Sequence, residues 1–154
     1  MTLVSKTFEL YGKTYTFESG ELAKQATGAC LVKQGDTTML DTVVVSKERK
    51  NYFFPLTVDF NEKMYAAGRI PGGYLKREGR PSEKATLTAR MIDRPIRPSF
   101  PDGFRNEVHI VATSLVADQV NPFDVINVMG ASLAMTLGGV PFEGPLACVR
   151  IGRN

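Results

Sequence analysis

Apolar and polar residues alternate over short runs in the first half of the chain, and Gly, Asp and Asn punctuate them, which is the signature of strands joined by tight turns. Phe8 and Leu10 alternate with Thr7 and Glu9, and Tyr11-Gly12-Lys13 offers a turn into Thr14 to Glu18, so a hairpin is predicted there. A second hairpin is predicted from Ala29 to Lys33 and Thr38 to Val45, around Gln34-Gly35-Asp36, whose residues tolerate positive φ. Val43-Val44-Val45 is apolar without alternation, as a strand covered on both faces would be. Lys47 to Lys50 is expected to be a solvated loop, and Phe53 to Phe60 a further strand. In the second half, Glu107 and His109 alternate with Val108 and Ile110 in a strand running to about Val116, which places His109 on its polar face. Asn121-Pro122 is expected to start a helix, with Asn121 as N-cap and Pro122 at its first position. That helix is predicted to end at Gly138-Gly139 and to turn Val125, Val128, Met129, Ser132, Leu133 and Thr136 toward the core. Leu146 to Ile151 is expected to form a last strand. Because the chain stops at Asn154 directly afterwards, the expected domain, residues 1–154, is incomplete at its C-terminal end. Strands and helices mixed in this order predict an α/β (α+β) class, a mixed sheet packed against helices.

The segment between these halves changes the picture. Lys63 to Arg97 holds nine Lys or Arg and only the acids Glu78, Glu83 and Asp93, a net +6 in a chain whose total is +3. The remainder is therefore acidic overall, and positive charge is segregated into one stretch, which favours a polyanionic partner. The segment divides into a loop and a helix. Gly68, Pro71, Gly72, Gly73, Gly79 and Pro81 exclude regular structure in the first part, and a loop of that length in a compact domain is usually functional or disordered. It is not a phosphate-binding Walker loop: Tyr74-Leu75 stands where Lys and Ser or Thr would be needed. What it offers is an apolar pair, Tyr74 and Leu75, directly followed by Lys76 and Arg77. That combination suits a single strand of nucleic acid, with a base on the ring and phosphates on the cations. The competing reading is a solvated loop in which Tyr74 covers the core.

From Ser82 a helix is predicted, with Ser82 as N-cap, Glu83 in the first turn and good helix formers through Met91. Arg90, Arg94 and Arg97 then share one face, about a turn apart, a spacing suited to successive phosphates. Pro95 is expected to kink or end the last turn. Asp93 can pair with an arginine, but three acids cannot neutralise nine bases.

Other features carry no chemistry. His109 is the only histidine, and no Ser, Cys or carboxylate constellation surrounds it in sequence, so it is expected to be an exposed strand residue. Cys30 and Cys148 have no CxxC spacing or His neighbour and are expected to be reduced thiols packed as small hydrophobes. At 43% hydrophobic and 23% charged content, one ordinary soluble core is expected. The sequence has no apolar run of spanning length and no signal or transit pattern, which predicts a cytoplasmic location without membrane attachment.

The stretch AAGRIPGGYLKREGRPSEKATLTARMIDRPIRPSFPDGF, with FFPLTVDF before it and QVNPFDVINVMGAS after it, resembles the first RNase PH-like core of the bacterial polynucleotide phosphorylase (polyribonucleotide nucleotidyltransferase) family, over essentially the whole chain. The resemblance implies an RNase PH-like βαβ core. It also implies a homotrimeric enzyme with two such cores per subunit, and processive 3′-to-5′ phosphorolysis of RNA to nucleoside diphosphates, reversible as polymerisation. Single-stranded RNA would be the partner, inorganic phosphate the co-substrate and Mg2+ the cofactor, and RNA-degradation proteins would be further partners in mRNA turnover. By position, Tyr74, Leu75, Lys76 and Arg77 match a channel-constriction loop that usually carries two aromatics and two arginines, so Leu75 and Lys76 are departures. Arg80, Arg90, Arg94 and Arg97 are the remaining candidate RNA-binding residues, and the last three match arginines lining the RNA path. The family's phosphate- and metal-binding residues belong to a second core, so no catalytic residue and no metal ligand is expected in this chain, and it is expected to be inactive alone. A different reading of the same residues is a free-standing RNA-binding module without catalysis.

Overall fold

A computed structural model describes residues 2–49, 52–72 and 79–153. Six strands, β1 (Val4–Leu10), β2 (Lys13–Ser19), β3 (Gly28–Gln34), β4 (Thr37–Arg49), β5 (Leu56–Asn61) and β6 (Asn106–Val116), form one sheet in the order β1-β2-β3-β4-β6-β5. All neighbours are antiparallel except β5 and β6, which are parallel. Parallel neighbours need a crossover, and α1 (Glu83–Ile96) supplies it as the helix of a β5-α1-β6 unit. The second helix, α2 (Phe123–Leu137), follows β6. The class is therefore α+β, a mixed sheet packed against helices.

Alternation fixes which sheet face the helices cover. Cys30 and Val32, Met39 and Val43, Leu56 and Phe60, and Val108, Ile110 and Ala112 are all buried, and the register aligns them on one face. Ala85, Thr88, Ile92 and Ile96 of α1 form a buried stripe at helical spacing against β5, while α2 lies over β3 and β4. The rings of Phe54, Phe100 and Phe104 close one end of this core, with centroids 4.6 to 5.6 Å apart. The β1-β2 hairpin lies at the sheet edge beside α2. Strand β1 is exposed throughout, and Phe8 stacks on Tyr15 and Phe17 at 5.6 and 5.7 Å, next to grooves lined also by Val125, Met129 and Leu133 of α2.

Both hairpins form as the turn chemistry predicts; Tyr11 and Gly12 adopt φ of 50° and 70°, and Gly35 adopts 58°. Several expectations are corrected. Strand β4 runs on to Arg49, because Arg49 still pairs with Asn106, so 47–49 is solvated strand and not loop. Val44 is 49% exposed, since the sheet has helices on one face only. Strand β5 begins at Leu56, after Pro55. Pro95 does not end α1: the helix reaches Ile96 and closes again where Arg97 N–H donates to the Asp93 carbonyl, held by fully buried Ile92 and Ile96.

Helix α2 starts one residue later than predicted. Pro122 is its N-cap, and Asn121 Nδ2 donates to Asp118 Oδ2 (2.6 Å) instead of capping the helix. The buried face of α2 is Ile126, Asn127, Val128, Gly130, Ala131, Ser132, Ala134 and Met135, so Thr136 is exposed and Val125, Met129 and Leu133 are only half-buried. Residues 146–151 are not a strand. Leu146 N–H donates to Ser132 Oγ (2.7 Å) and Arg150 pairs with Asp124, which ties this segment to α2 and not to the sheet.

Candidate nucleic-acid interface

The candidate site is the outward face of α1 and the cleft at its start. Ser82 Oγ accepts from Ala85 N–H (3.0 Å) and donates to Glu62 Oε2 (3.1 Å), which caps the helix and pins it to the end of β5. With the buried stripe turned to the sheet, Leu87, Arg90, Met91 and Arg94 are left on the solvent side, where they line a shallow groove with Asp93. Leu87 and Met91 are 56% and 42% exposed, so the groove has an apolar floor beside its cations.

The arginines divide into two kinds. Arg97 donates through Nε (3.1 Å) and Nη2 (2.5 Å) to the Asp93 carboxylate, and through Nη2 to the Leu56 carbonyl (3.1 Å). It therefore clamps the end of α1 to the start of β5, and Asp93 neutralises this arginine as an ion pair. Arg80, Arg90 and Arg94 make no ion pair with any described residue. Arg90 and Arg94 are four residues apart and thus about one 5.4 Å turn along the axis. Arg80 lies just before the helix, in a cleft of about 320 Å³ lined also by Phe60, Lys63, Pro71, Gly72 and Ser82. Tyr74, Leu75, Lys76 and Arg77 lie outside the described residues; Gly72 and Gly79, which bracket them, line the same cleft.

One pairing escaped the sequence. His109 Nε2 lies 2.8 Å from Asp59 Oδ2, because the parallel β5-β6 register sets Thr57 opposite His109 and brings Asp59 within diagonal reach. The alternation of both strands puts the two residues on the helix-free face, but only the pairing of β5 with β6 reveals the contact. Both side chains are about half exposed, so His109 is an exposed strand residue, as expected. Cys30 and Cys148 are free thiols; burial, reinforced by Asp41, pushes Cys30 up to about 12 and makes it inert. No group of three His, Cys, Asp or Glu among the described residues is arranged to hold a metal ion.

With this geometry in place, the comparisons with known proteins are specific. Residues 12–141 match the RNase PH model, the 3′ exoribonuclease family, domain 1, and the chain belongs to that family. It is 56% identical over 147 residues to the polyribonucleotide nucleotidyltransferase of Natranaerobius thermophilus and 55% identical over 146 residues to that of Bacillus cereus, in each case over 94% of this chain and 20% of the relative. The chain thus spans about a fifth of the length of the curated relatives it matches. Two solved structures share the fold. One is described as the Archaeoglobus fulgidus exosome with RNA bound to the active site (TM-score 0.60, 19% identity, 88% of this chain and 51% of that one). The other is rice (Oryza sativa) Rrp46 (TM-score 0.59, 11% identity, 92% and 58%).

Proposed function

We propose that this chain is the first of two RNase PH-like cores in a polyribonucleotide nucleotidyltransferase, and that it guides single-stranded RNA toward a phosphorolytic centre in the second core. The observation that carries this reading is the pair of unpaired arginines on the outward face of α1, Arg90 and Arg94, continued by Arg80 at its start. Guanidinium groups bind phosphates through paired N–H donors, and three of them along one edge hold a strand in register without reading its sequence. Arg97, with Nε and Nη2 committed to Asp93 and Leu56, has Nη1 left for a phosphate and contributes chiefly by fixing the helix end. On the family resemblance, Tyr74 and Leu75 would supply an apolar surface to the strand, with Lys76 and Arg77 next in sequence.

In the reaction, inorganic phosphate attacks the terminal phosphodiester, the bond to the preceding 3′ oxygen breaks, and a nucleoside diphosphate leaves. The phosphate and Mg2+ that this step requires belong to the second core. The exposed outer strand β1, with Phe8 and Leu10, is a surface for assembly of a homotrimeric ring, to which RNA-degradation proteins would add. A cytoplasmic setting suits this role, and no helix among the described residues is long and apolar enough to cross a membrane.

The test is RNA binding by the enzyme containing this core across a salt series. Arg94→Ala should weaken binding equally for all homopolymers and lower the salt slope by about 0.7. A variant that discriminates among homopolymers at the parental slope would overturn the phosphate assignment. Tyr74→Ala should cost about 1–3 kcal/mol of RNA affinity at unchanged melting temperature. A lowered melting temperature with intact affinity would return Tyr74 to a core-covering role. The 154-residue chain alone should release no nucleoside diphosphate from RNA and phosphate, and measurable release would overturn the placement of catalysis in the second core.

A further inference from the structure

Asp41, in the middle of β4, is 0% exposed, and neither of its carboxyl oxygens has a hydrogen-bond partner. Helix α2 passes directly over it. A Cβ on Gly130 would stand 2.0 Å from Asp41 Oδ2, so the carboxyl occupies the space that any other residue at 130 would fill. One turn earlier on the same buried face, Asn127 is also 0% exposed, and its Oδ1 and Nδ2 are likewise without partners. Two orphaned polar groups thus sit at one helix-sheet contact.

No positive charge answers them. Across the ladder on β3 stands Cys30, a buried neutral thiol, and on β6 stands Ala112. The only charged residue in α2 is Asp124, at its first turn and engaged by Arg150. Lys33 and His109 belong to the opposite sheet face by alternation, where Lys33 meets Glu18 and His109 meets Asp59. Glu107 and Lys47 are exposed near the sheet end. An isolated carboxylate in such a site loses its hydration with nothing in return, whereas a neutral carboxyl loses far less. Burial accordingly pushes the Asp41 pKa well above the usual carboxylate range.

We propose that Asp41 is a proton-binding site at the β4-α2 contact, which holds α2 on the sheet as a neutral acid and weakens that packing when it ionises. The neutral carboxyl carries no net charge, so it sits in this unpartnered site at far lower cost than a carboxylate, which is acceptor-only and stripped of its hydration. The sign follows from the raised pKa. Below the unfolded value of about 3.9 both states carry the proton; above it the unfolded chain releases it while the fold retains it. Stability therefore falls as pH rises, by about tenfold in the folding constant per pH unit, until Asp41 itself ionises.

Carbon-13 NMR of the Asp41 carboxyl in the whole chain should report a group that keeps its proton where ordinary carboxylates have lost theirs, and titration in the ordinary carboxylate range would overturn the proposal. Urea unfolding followed upward from about pH 4.5 should show the wild-type folding constant falling about tenfold per unit relative to Asp41→Asn, which cannot ionise, for as long as Asp41 keeps its proton. Parallel curves would equally overturn it. If Asp41→Asn does not fold, the wild-type NMR titration decides alone.

Discussion

The two helices pack on the same sheet face and meet solvent in opposite ways. Helix α1 buries one stripe of four residues and leaves the other side to arginines, whereas α2 is buried or half-buried over almost its whole length and ends exposed only at Thr136 and Leu137. A helix at the sheet edge, over β5, has half its circumference free for a ligand. One placed over β3 and β4 has none, so its polar residues must be satisfied inside or remain orphaned, as Asn127 does. The two settings therefore treat charge differently: on α1 the guanidiniums of Arg90 and Arg94 stay in solvent, while under α2 the Asp41 carboxyl is cut off from it.

The comparison breaks first at α1's own two sides. Ile92→Ala should lower stability by about 2–5 kcal/mol in urea unfolding, because Ile92 is fully buried. Leu87→Ala, on the outward side, should stay within about 0.5 kcal/mol. Equal losses would mean that the groove beside Arg90 and Arg94 is covered. On α2, Gly130→Ala should cost about 1–3 kcal/mol, since the added methyl meets Asp41 and Val32, even though alanine favours helix by about 1 kcal/mol elsewhere. A neutral or stabilising Gly130→Ala would show that α2 has slack over β4.

Smaller effects sharpen the division among the arginines. Arg97→Ala should lower stability by about 1 kcal/mol by freeing the Leu56 carbonyl and Asp93, whereas Arg94→Ala should leave the melting temperature unchanged and alter only RNA affinity. If both variants melt like wild type, Arg97 belongs with the ligand-facing arginines. The smallest effect lies at the entry to α2. Partial burial works to raise the Asp118 pKa, but hydrogen bonds donated by Asn121 N–H and Nδ2, Val120 N–H and Thr37 Oγ1 outweigh it and hold the carboxyl well below the usual carboxylate range. A depressed pKa contributes stability that is present above the unfolded value of about 3.9 and lost as pH falls below it, the opposite slope to Asp41. Asp118→Asn should flatten the acid limb of the stability curve, and an unchanged limb would assign acid sensitivity elsewhere.

Hairpins, the capped start of α1 and the glycine stop of α2 were legible because each depends on residues close in sequence. Tyr11-Gly12, Ser82 with Ala85, and Gly138-Gly139 set backbone geometry and hydrogen bonds within a few positions. Segregation of positive charge was readable for the same reason, since nine bases crowd into one stretch. Which arginines are free was not. Asp93 lies four residues from Arg97 and three from Arg90, and the choice fell to Arg97 because the Leu56 carbonyl, 41 residues away, completes its site. Likewise, the one-sided covering of β4, the true inner face of α2, the His109-Asp59 contact and the isolation of Asp41 all turn on which strand or helix lies alongside. Local sequence settles what a segment of chain can become. The neighbours it acquires on folding decide which of its polar groups keep water, find partners or are left with neither.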